Sequence, residues 1–200
     1  MDDKLKKIGG FVERKINLIK NTSNDSLVKA MLANLRRGVG RKPGSMPEIW
    51  DLTLEGLPEE FMSKDGFPTK EEWAVHIALT LFALHQQGRN IKTESMNNRD
   101  ISFGKAVRSL AADEADIPRV KRRFDAALKA DDIEGLAYYT RSLIQLLKSN
   151  DTSFNYPMLA KDLYLFQTND KDVVRLSWGQ DFYRRYDAKT DEKIDGGNEK

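Results

Sequence analysis

The chain has 200 residues, of which 40% are hydrophobic and 32% are charged, so it is long enough to bury a core beneath a heavily charged surface. It contains no cysteine, which excludes disulfide bonds, thiolate catalysis and cysteine-ligated metal sites and predicts a protein of the reducing cytoplasm. Lys and Arg number 33 against 31 Asp and Glu, and a net charge of +2 does not by itself indicate a polyanionic partner.

The first part of the chain predicts two helices and a basic loop. Apolar residues recur at steps of three and four over residues 5–19 and again over 27–35, as on one face of an amphipathic helix. Gly38 follows the second helix, and we expect it to end that helix with a positive φ. Residues 38–47 hold three glycines and two prolines, a density that predicts a loop.

A short helix and a long one are predicted after this loop. Pro47 fits the first turn of the short helix, and residues 55–72 form a mainly acidic stretch. Thr69 and Glu72 have the spacing of a capping box, in which each side chain satisfies a free amide at a helix start. We therefore expect a long buried helix from this point to Gly88.

This long helix carries the two histidines of the chain, His76 and His85. Nine residues at about 100° each place them on opposite sides of the helix, so they cannot bind one metal together. We interpret each as a partly buried polar residue and predict no metal and no cofactor. The apolar stretch 73–84 is too short to cross a bilayer, and no signal-peptide core precedes it, so no membrane partner is predicted.

The second part of the chain predicts further helices. Ser102 fits the N-cap of a helix that extends through Ala111, and later apolar faces lie at 117–128, 136–147 and 157–182, the last divided between two helices. No alternating strand pattern is present. The predicted fold class is all-α, a helical bundle protein of about eight to nine helices.

These helices are expected to form two small packed bundles. The polar residues 89–100 predict a loop between an N-terminal helical bundle at 1–90 and a C-terminal helical bundle at 101–187. Residues 188–200 are polar and contain glycine, which predicts a frayed tail.

The sequence motifs do not indicate an enzyme. The spacing of Gly38, Gly40 and Gly44 differs from that of a phosphate-binding P-loop, and no serine stands in the context of a nucleophile elbow. Paired carboxylates such as Asp131 and Asp132 fit the solvated start of a helix. We therefore predict a protein without catalytic residues.

Cations gather at the end of the second helix and in the loop after it. Arg36, Arg37, Arg41 and Lys42 place four positive charges beside glycine amides that can also meet phosphate. The alternative is a positively charged helix C-terminus that the helix dipole favours. The spacing of the residues leaves both interpretations open.

Three later helices carry further cations at helical spacing, and we expect them to present one basic surface. These cations are Lys105 and Arg108 on the first helix, Arg119, Arg122 and Arg123 on the second, and Arg141 and Lys148 on the third. The alternative is that they lie on ordinary solvated faces, balanced by neighbouring Asp and Glu side chains.

Tryptophan side chains can stack on nucleobases, but each of the three tryptophans here lies beside apolar positions at helical spacing. We predict core packing for Trp50 and Trp73. No zinc finger, helix-turn-helix or aromatic RNA-binding strand is present to read a base sequence. Any nucleic-acid binding is therefore expected to involve the backbone and shape of the strand.

Several blocks of the sequence occur in an order typical of one protein family. The first block is residues 35–50, LRRGVGRKPGSMPEIW, and the later blocks are 103–111, 122–131, 143–149, 159–163 and 174–184. Together they span about three quarters of the chain, and they resemble the CasB family, the small subunits of type I-E CRISPR Cascade complexes.

This resemblance implies a non-catalytic subunit in the cytoplasm, present in two copies along a backbone that carries CRISPR RNA. Its expected partners are the backbone and large subunits, a second copy of itself, CRISPR RNA, target DNA and the displaced strand of the R-loop. The implied basic face includes the cations named above and Arg184. Ser177 and Gln180 stand where the family has basic residues and Phe166 where it has tryptophan, so phosphate contacts at 177 and 180 are not expected.

The alternative function is a purely structural helical adaptor. Such a protein would join other subunits through its apolar and acidic surfaces without direct contact with nucleic acid.

Overall fold

The computed structural model describes residues 2–184, and this part of the chain contains nine α-helices and no β-strand. The helices are α1 (Asp2–Asn21), α2 (Asp25–Arg37), α3 (Trp50–Thr53), α4 (Lys70–His85), α5 (Phe103–Arg108), α6 (Ile117–Leu128), α7 (Ile133–Ser149), α8 (Tyr156–Phe166) and α9 (Lys171–Tyr183). Short 3₁₀ turns lie at Pro47–Ile49 and Glu59–Phe61. The predicted all-α class is confirmed. The predicted frayed tail, 188–200, lies outside the described residues, as do residues 185–187.

Side-chain caps begin the helices at two predicted positions. The Thr69 hydroxyl accepts a hydrogen bond from the Glu72 amide at 3.1 Å, and the Glu72 carboxylate accepts one from the Thr69 amide at 2.8 Å, so the capping box is confirmed. The Ser102 hydroxyl accepts from the Lys105 amide at 3.3 Å. The helix that Ser102 opens is shorter than predicted and ends at Arg108.

The long helix α4 lies at the centre of the fold. All of its residues except Lys70, Trp73 and Leu84 are buried, so it has no solvent-facing side. The helices α1, α2, α7 and α8 pack around it, while α9 packs on α5 and α8. None of the helices within residues 2–184 is both long and apolar enough to span a membrane.

One hydrophobic cluster contains buried residues from all nine described helices. Helices α1 and α4, from the first part of the chain, pack directly against α8 of the second part. The division into bundles at 1–90 and 101–187 stays a prediction, and the two parts share this core.

Aromatic side chains join α5, α6 and α9. The rings of Phe103 and Trp178 lie 4.7 Å apart between centroids, and those of Phe124 and Phe182 stack at 5.1 Å. The helices α5 and α9 approach so closely that a Cβ atom on Gly104 would lie 2.4 Å from the carbonyl oxygen of Trp178. Glycine at this position is therefore a packing requirement.

A buried carboxyl group lies beside this aromatic cluster. The indole Nε1 of Trp178 donates a hydrogen bond to Asp162 Oδ2 at 2.7 Å. Burial raises the pKa of Asp162 to about 7, and the hydrogen bond from Trp178 offsets only part of this rise.

Replacing Gly104 tests the close packing of α5 on α9. We expect Gly104→Ala to lower the free energy of unfolding by about 1–3 kcal/mol, because the added methyl group meets backbone atoms that cannot rotate away. Gly179→Ala on α9 is the matched control, since its Cβ would meet no atom within 4 Å. Loss of a helical glycine there should stabilise the protein by about 0.5–1 kcal/mol. Urea unfolding measures both changes, and equal stabilities of the two variants would contradict this account.

Replacing Asp162 tests the cost of its burial. Between about pH 4 and pH 7 the unfolded chain loses the Asp162 proton while the folded chain keeps it, so this group lowers stability as the pH rises through that range. Asp162→Asn keeps an oxygen acceptor for Trp178 and cannot ionise. We expect the variant to gain stability relative to the wild type by up to about 1.4 kcal/mol per pH unit in this window.

The measurement is the difference in unfolding free energy between variant and wild type at each pH. A difference is needed because burial lowers the pKa of His76 and His85, and these groups favour the fold as the pH rises in the acidic range. A difference that stays constant from pH 4 to pH 8 would show that Asp162 ionises normally in the folded protein.

Candidate nucleic-acid interface

The basic loop that follows α2 is held against α4. The predicted positive φ at Gly38 is wrong, since its φ is −75°, and the positive values occur at Gly40 and Gly44 instead. Gly38 is required for space, because a Cβ atom there would lie 2.9 Å from Thr80 Cγ2. The Gly38 carbonyl oxygen also lies 3.1 Å from His76 Nε2. These contacts fix the loop where it leaves α2.

Trp50 lies on the outer side of this loop, so its predicted core role is wrong. Its side chain is 45% exposed, and the indole Nε1 donates a hydrogen bond to the Gly44 carbonyl at 3.0 Å. Ile49 and Leu52 occupy the buried positions of this short turn instead. Trp73 is half-buried and packs against the core, as predicted.

A groove lies between α2 and the segment that follows α4. We call it the basic groove, and it encloses about 470 Å³. The charged residues that line it are Asp25, Lys29, Arg36, Arg89 and Lys92. Since Asp25 pairs with Lys92 at 2.7 Å and Arg89 pairs with Asp151, the remaining cations Lys29 and Arg36 leave the groove positively charged.

The end of α7 brings another cation to this groove. The Lys148 ammonium group donates to Gln87 Oε1 at 2.9 Å, and Gln87 lines the groove. Partial burial lowers the pKa of Lys148, and the positive charges of Arg89 and Arg36 lower it further. Lys148 therefore lies close enough to both Arg89 and Arg36 to be repelled by them, an arrangement that favours a bound anion.

Arg89 holds α7 in this position. Its guanidinium group donates a hydrogen bond to the carbonyl oxygen of Lys148 at 2.9 Å and forms an ion pair with Asp151. Arg89 was not predicted as a candidate, because in the sequence it lies alone in a polar segment. The one sequence feature that could have indicated Arg89 is the glycine before it. Gly88 has a φ of 90° and lies just beyond the end of α4.

A second, smaller space lies between residues 39–41, α4 and α7. We call it the loop–helix cavity, and its volume is about 190 Å³. Its polar and aromatic lining includes Arg41 from the loop, Trp73 and His76 from α4, and Glu134, Tyr138 and Arg141 from α7. Arg41 and Arg141, which the sequence placed in separate groups, thus border one cavity.

Helix α7 connects the groove and the cavity. Arg141 and Lys148 are seven residues apart, which places them on one face of α7 at about 10 Å along its axis. We use the name α7 face for five cations, two of which lie on α7 and three of which border the groove or the cavity beside it: Arg36, Arg41, Arg89, Arg141 and Lys148. Four of these five residues, all except Arg89, were predicted from the sequence as candidate nucleic-acid-binding residues. The sequence placed them in two separate groups and did not predict that the groups lie together.

The other predicted cations lie elsewhere in the described structure. On α6, Arg119 pairs with Asp116 at 3.1 Å, while Arg122 and Arg123 are exposed and pair with no carboxylate among residues 2–184. Arg37 donates to Asn34 at 2.5 Å. Lys42 is exposed in the loop, Lys105 and Arg108 lie half-exposed on α5, and Arg184 is exposed just beyond α9. A single basic surface over α5, α6 and α7 stays a prediction.

Both histidines are more deeply buried than predicted, with exposures of 2% for His76 and 0% for His85. The Nδ1 atom of His85 lies 3.0 Å from the Tyr156 hydroxyl, and burial lowers the pKa of His85 to about 3. Within residues 2–184, no three His, Asp or Glu side chains are grouped so that they could hold a metal ion.

Comparison with known proteins assigns this chain to a family. The model of the CRISPR-associated protein Cse2 family matches residues 31–183, which include the whole α7 face. The chain belongs to the Cse2 family. The resemblance found in the sequence is thereby confirmed, and the protein has a CRISPR-associated role.

Solved structures of Cse2-family proteins agree with this assignment. CasB from Thermobifida fusca is 29% identical, with a TM-score of 0.74 over 89% of this chain and 98% of that chain. CasB from Thermus thermophilus has the same fold at 21% identity, with a TM-score of 0.62 over 86% of this chain and 97% of that chain. No curated protein sequence compared with this chain matches it.

Proposed function

We propose that this chain is the non-catalytic small subunit of a type I-E CRISPR Cascade complex and stabilises the R-loop through its basic surface. In this role its Lys and Arg side chains neutralise phosphates of the target and displaced DNA strands, and of CRISPR RNA, without reading bases. Membership of the Cse2 family supports the CRISPR setting, and the α7 face supports the contact with nucleic acid.

The observation that carries this proposal is the crowding of Arg36, Arg89 and Lys148. Arg36 and Arg89, from separate segments, both lie close enough to Lys148 to lower its pKa, and Asp151 is the one described carboxylate that pairs with any of the three. Such repulsion costs stability in the empty protein, and a phosphate group bound among the three side chains would relieve it.

Modest contacts of this kind suffice for R-loop stabilisation. Formation of an R-loop exchanges a DNA duplex for an RNA–DNA duplex of nearly equal stability. A few phosphate contacts to the separated strands therefore decide how long the R-loop persists. The protein has no need to recognise sequence, because base pairing with the CRISPR RNA does so.

The proposed function also requires contacts with the backbone and large subunits and with a second copy of this chain. Helix α9 supports this requirement, because Val173, Leu176 and Tyr183 lie on one of its faces and are 57–63% exposed. The same face would serve the alternative function, a purely structural adaptor. The two functions differ in whether the cations contact nucleic acid.

Removing two cations of the α7 face tests the phosphate contacts. We expect Arg41→Ala/Arg141→Ala to reduce the slope of log affinity against log salt by about 1.4–1.8, because each lost phosphate contact removes about 0.7–0.9. The measurement is fluorescence anisotropy of the full chain with DNA over a salt series. The matched control is Lys64→Ala/Lys70→Ala, which removes two exposed cations from the acidic stretch and should leave the slope unchanged.

A second variant tests the cations of α5 and α6. Replacing Arg108, Arg119 and Arg123 together by Ala should reduce the same slope by about 2–3. The buried residues Val120 and Phe124 are unaltered, so the variant should fold. If both variants join the complex with the parental slope and R-loop lifetime, while changes to residues 55–72 abolish assembly, the adaptor function is correct.

A further inference from the structure

We propose that the loop–helix cavity receives one unpaired nucleobase of the bound strand. This inference rests on the proposed function and names the part of the nucleic acid that this site binds. It also gives a role to Tyr138, Trp73 and His76, which neutralisation of phosphates leaves unused.

The size of the cavity fits one base. Its volume of about 190 Å³ corresponds to roughly six water molecules at about 30 Å³ each. Sites for drug-sized ligands begin at about 300 Å³, so this cavity suits a single flat ring system. Val39, Ile77 and Ala137 provide apolar contact, and Trp73 contributes an aromatic wall.

Tyr138 lies at the border between the cavity and solvent. Its side chain is 68% exposed although tyrosine is large and partly apolar, and it stands one helical turn from Arg141 on α7. An exposed aromatic ring beside a guanidinium group is the combination that binds single strands, because the ring stacks on a base while the cation contacts the backbone.

His76 supplies a hydrogen-bond acceptor that has no donor. Its Nε2 atom lies 3.1 Å from the Gly38 carbonyl oxygen, which can only accept, so Nε2 carries the proton. Burial lowers the pKa of His76 and keeps the ring neutral, which leaves Nδ1 as an acceptor. This atom is buried and has no hydrogen-bond partner among the described residues. Less than 1 Å² of this nitrogen is exposed, so a base in the cavity would meet other atoms of His76 and leave this nitrogen unsatisfied.

The charges around the cavity favour a base inside it and phosphates outside it. Glu134 is among the residues that line the cavity, where its carboxylate would repel a phosphate but could accept a hydrogen bond from an amino group of a base. Arg41 and Arg141 are both exposed at the cavity border, where the phosphates on either side of the base would lie. In this arrangement the negative charge of Glu134 lies beside the base and the two positive charges lie beside the phosphates.

The base must come from an unpaired strand. In a duplex each base is stacked between its neighbours, and its hydrogen-bonding edge faces the opposite strand. A single strand presents both the ring face and that edge. The inference therefore predicts that this site distinguishes single-stranded from duplex DNA.

Tyr138→Ala tests the inference in the full-length chain. The probes are a single-stranded DNA oligonucleotide and a duplex of the same length, each followed by fluorescence anisotropy over a salt series. We expect the variant to bind the single strand roughly five- to a hundredfold more weakly, because it loses one stacking contact. Its affinity for the duplex and its salt slope should not change, since no phosphate contact is removed.

Two further variants make this result specific. Tyr138→Phe keeps the ring and should restore binding to the single strand. Phe67→Ala is the matched control, because Phe67 is a 76% exposed aromatic residue in the acidic stretch and does not line the cavity. It should bind both probes as the wild type does.

The outcomes separate this inference from the proposed function. If Tyr138→Ala leaves binding to the single strand unchanged, or weakens single-strand and duplex binding equally, the cavity does not receive a base, and the phosphate contacts of the α7 face are unaffected. If the wild-type chain binds neither probe even at low salt, the proposed function is wrong and the inference is wrong with it.

Discussion

Burial of α4 is the constraint on which the remaining structure depends. A capping box starts this helix at Thr69, and its side chains are apolar in nearly every direction, so other helices must cover it on all sides. Coverage by α2 brings the basic loop against His76 and Thr80, and coverage by α7 brings Arg141 to the same region and Lys148 to the basic groove. The candidate interface thus results from how the core is closed.

The α7 face shows how stability and binding oppose each other. Arg89 stabilises the C-terminus of α7 through the Lys148 carbonyl and the Asp151 carboxylate, yet its charge also lowers the pKa of Lys148. The fold therefore tolerates repulsion among partly exposed cations, and the groove keeps a positive charge. Because these groups are partly exposed, water and salt limit the cost, and the same screening makes the proposed binding sensitive to salt.

Local rules predicted the helices well and failed where contacts between distant residues decide the outcome. Capping at Thr69 and Ser102 was predictable because a cap involves residues only three positions apart. The helix at Ser102 was predicted too long because Leu110 is buried in the turn that follows it, which continues the apolar pattern. Trp50 was wrongly predicted to be buried, because helical periodicity does not apply to a helix of only 4 residues such as α3.

The sequence by itself determined the all-α class, the positions of most helices, the CasB resemblance and the residue types that we propose to contact phosphate. These depend on spacing within a helix or on the order of sequence blocks, which are local or linear properties. Only the tertiary structure decided that Arg41 and Arg141, one hundred residues apart, border one cavity, and that His76 lies there with an unsatisfied nitrogen. Such associations depend on the packing of α2 and α7 around α4, and no local rule encodes which cations will share a surface.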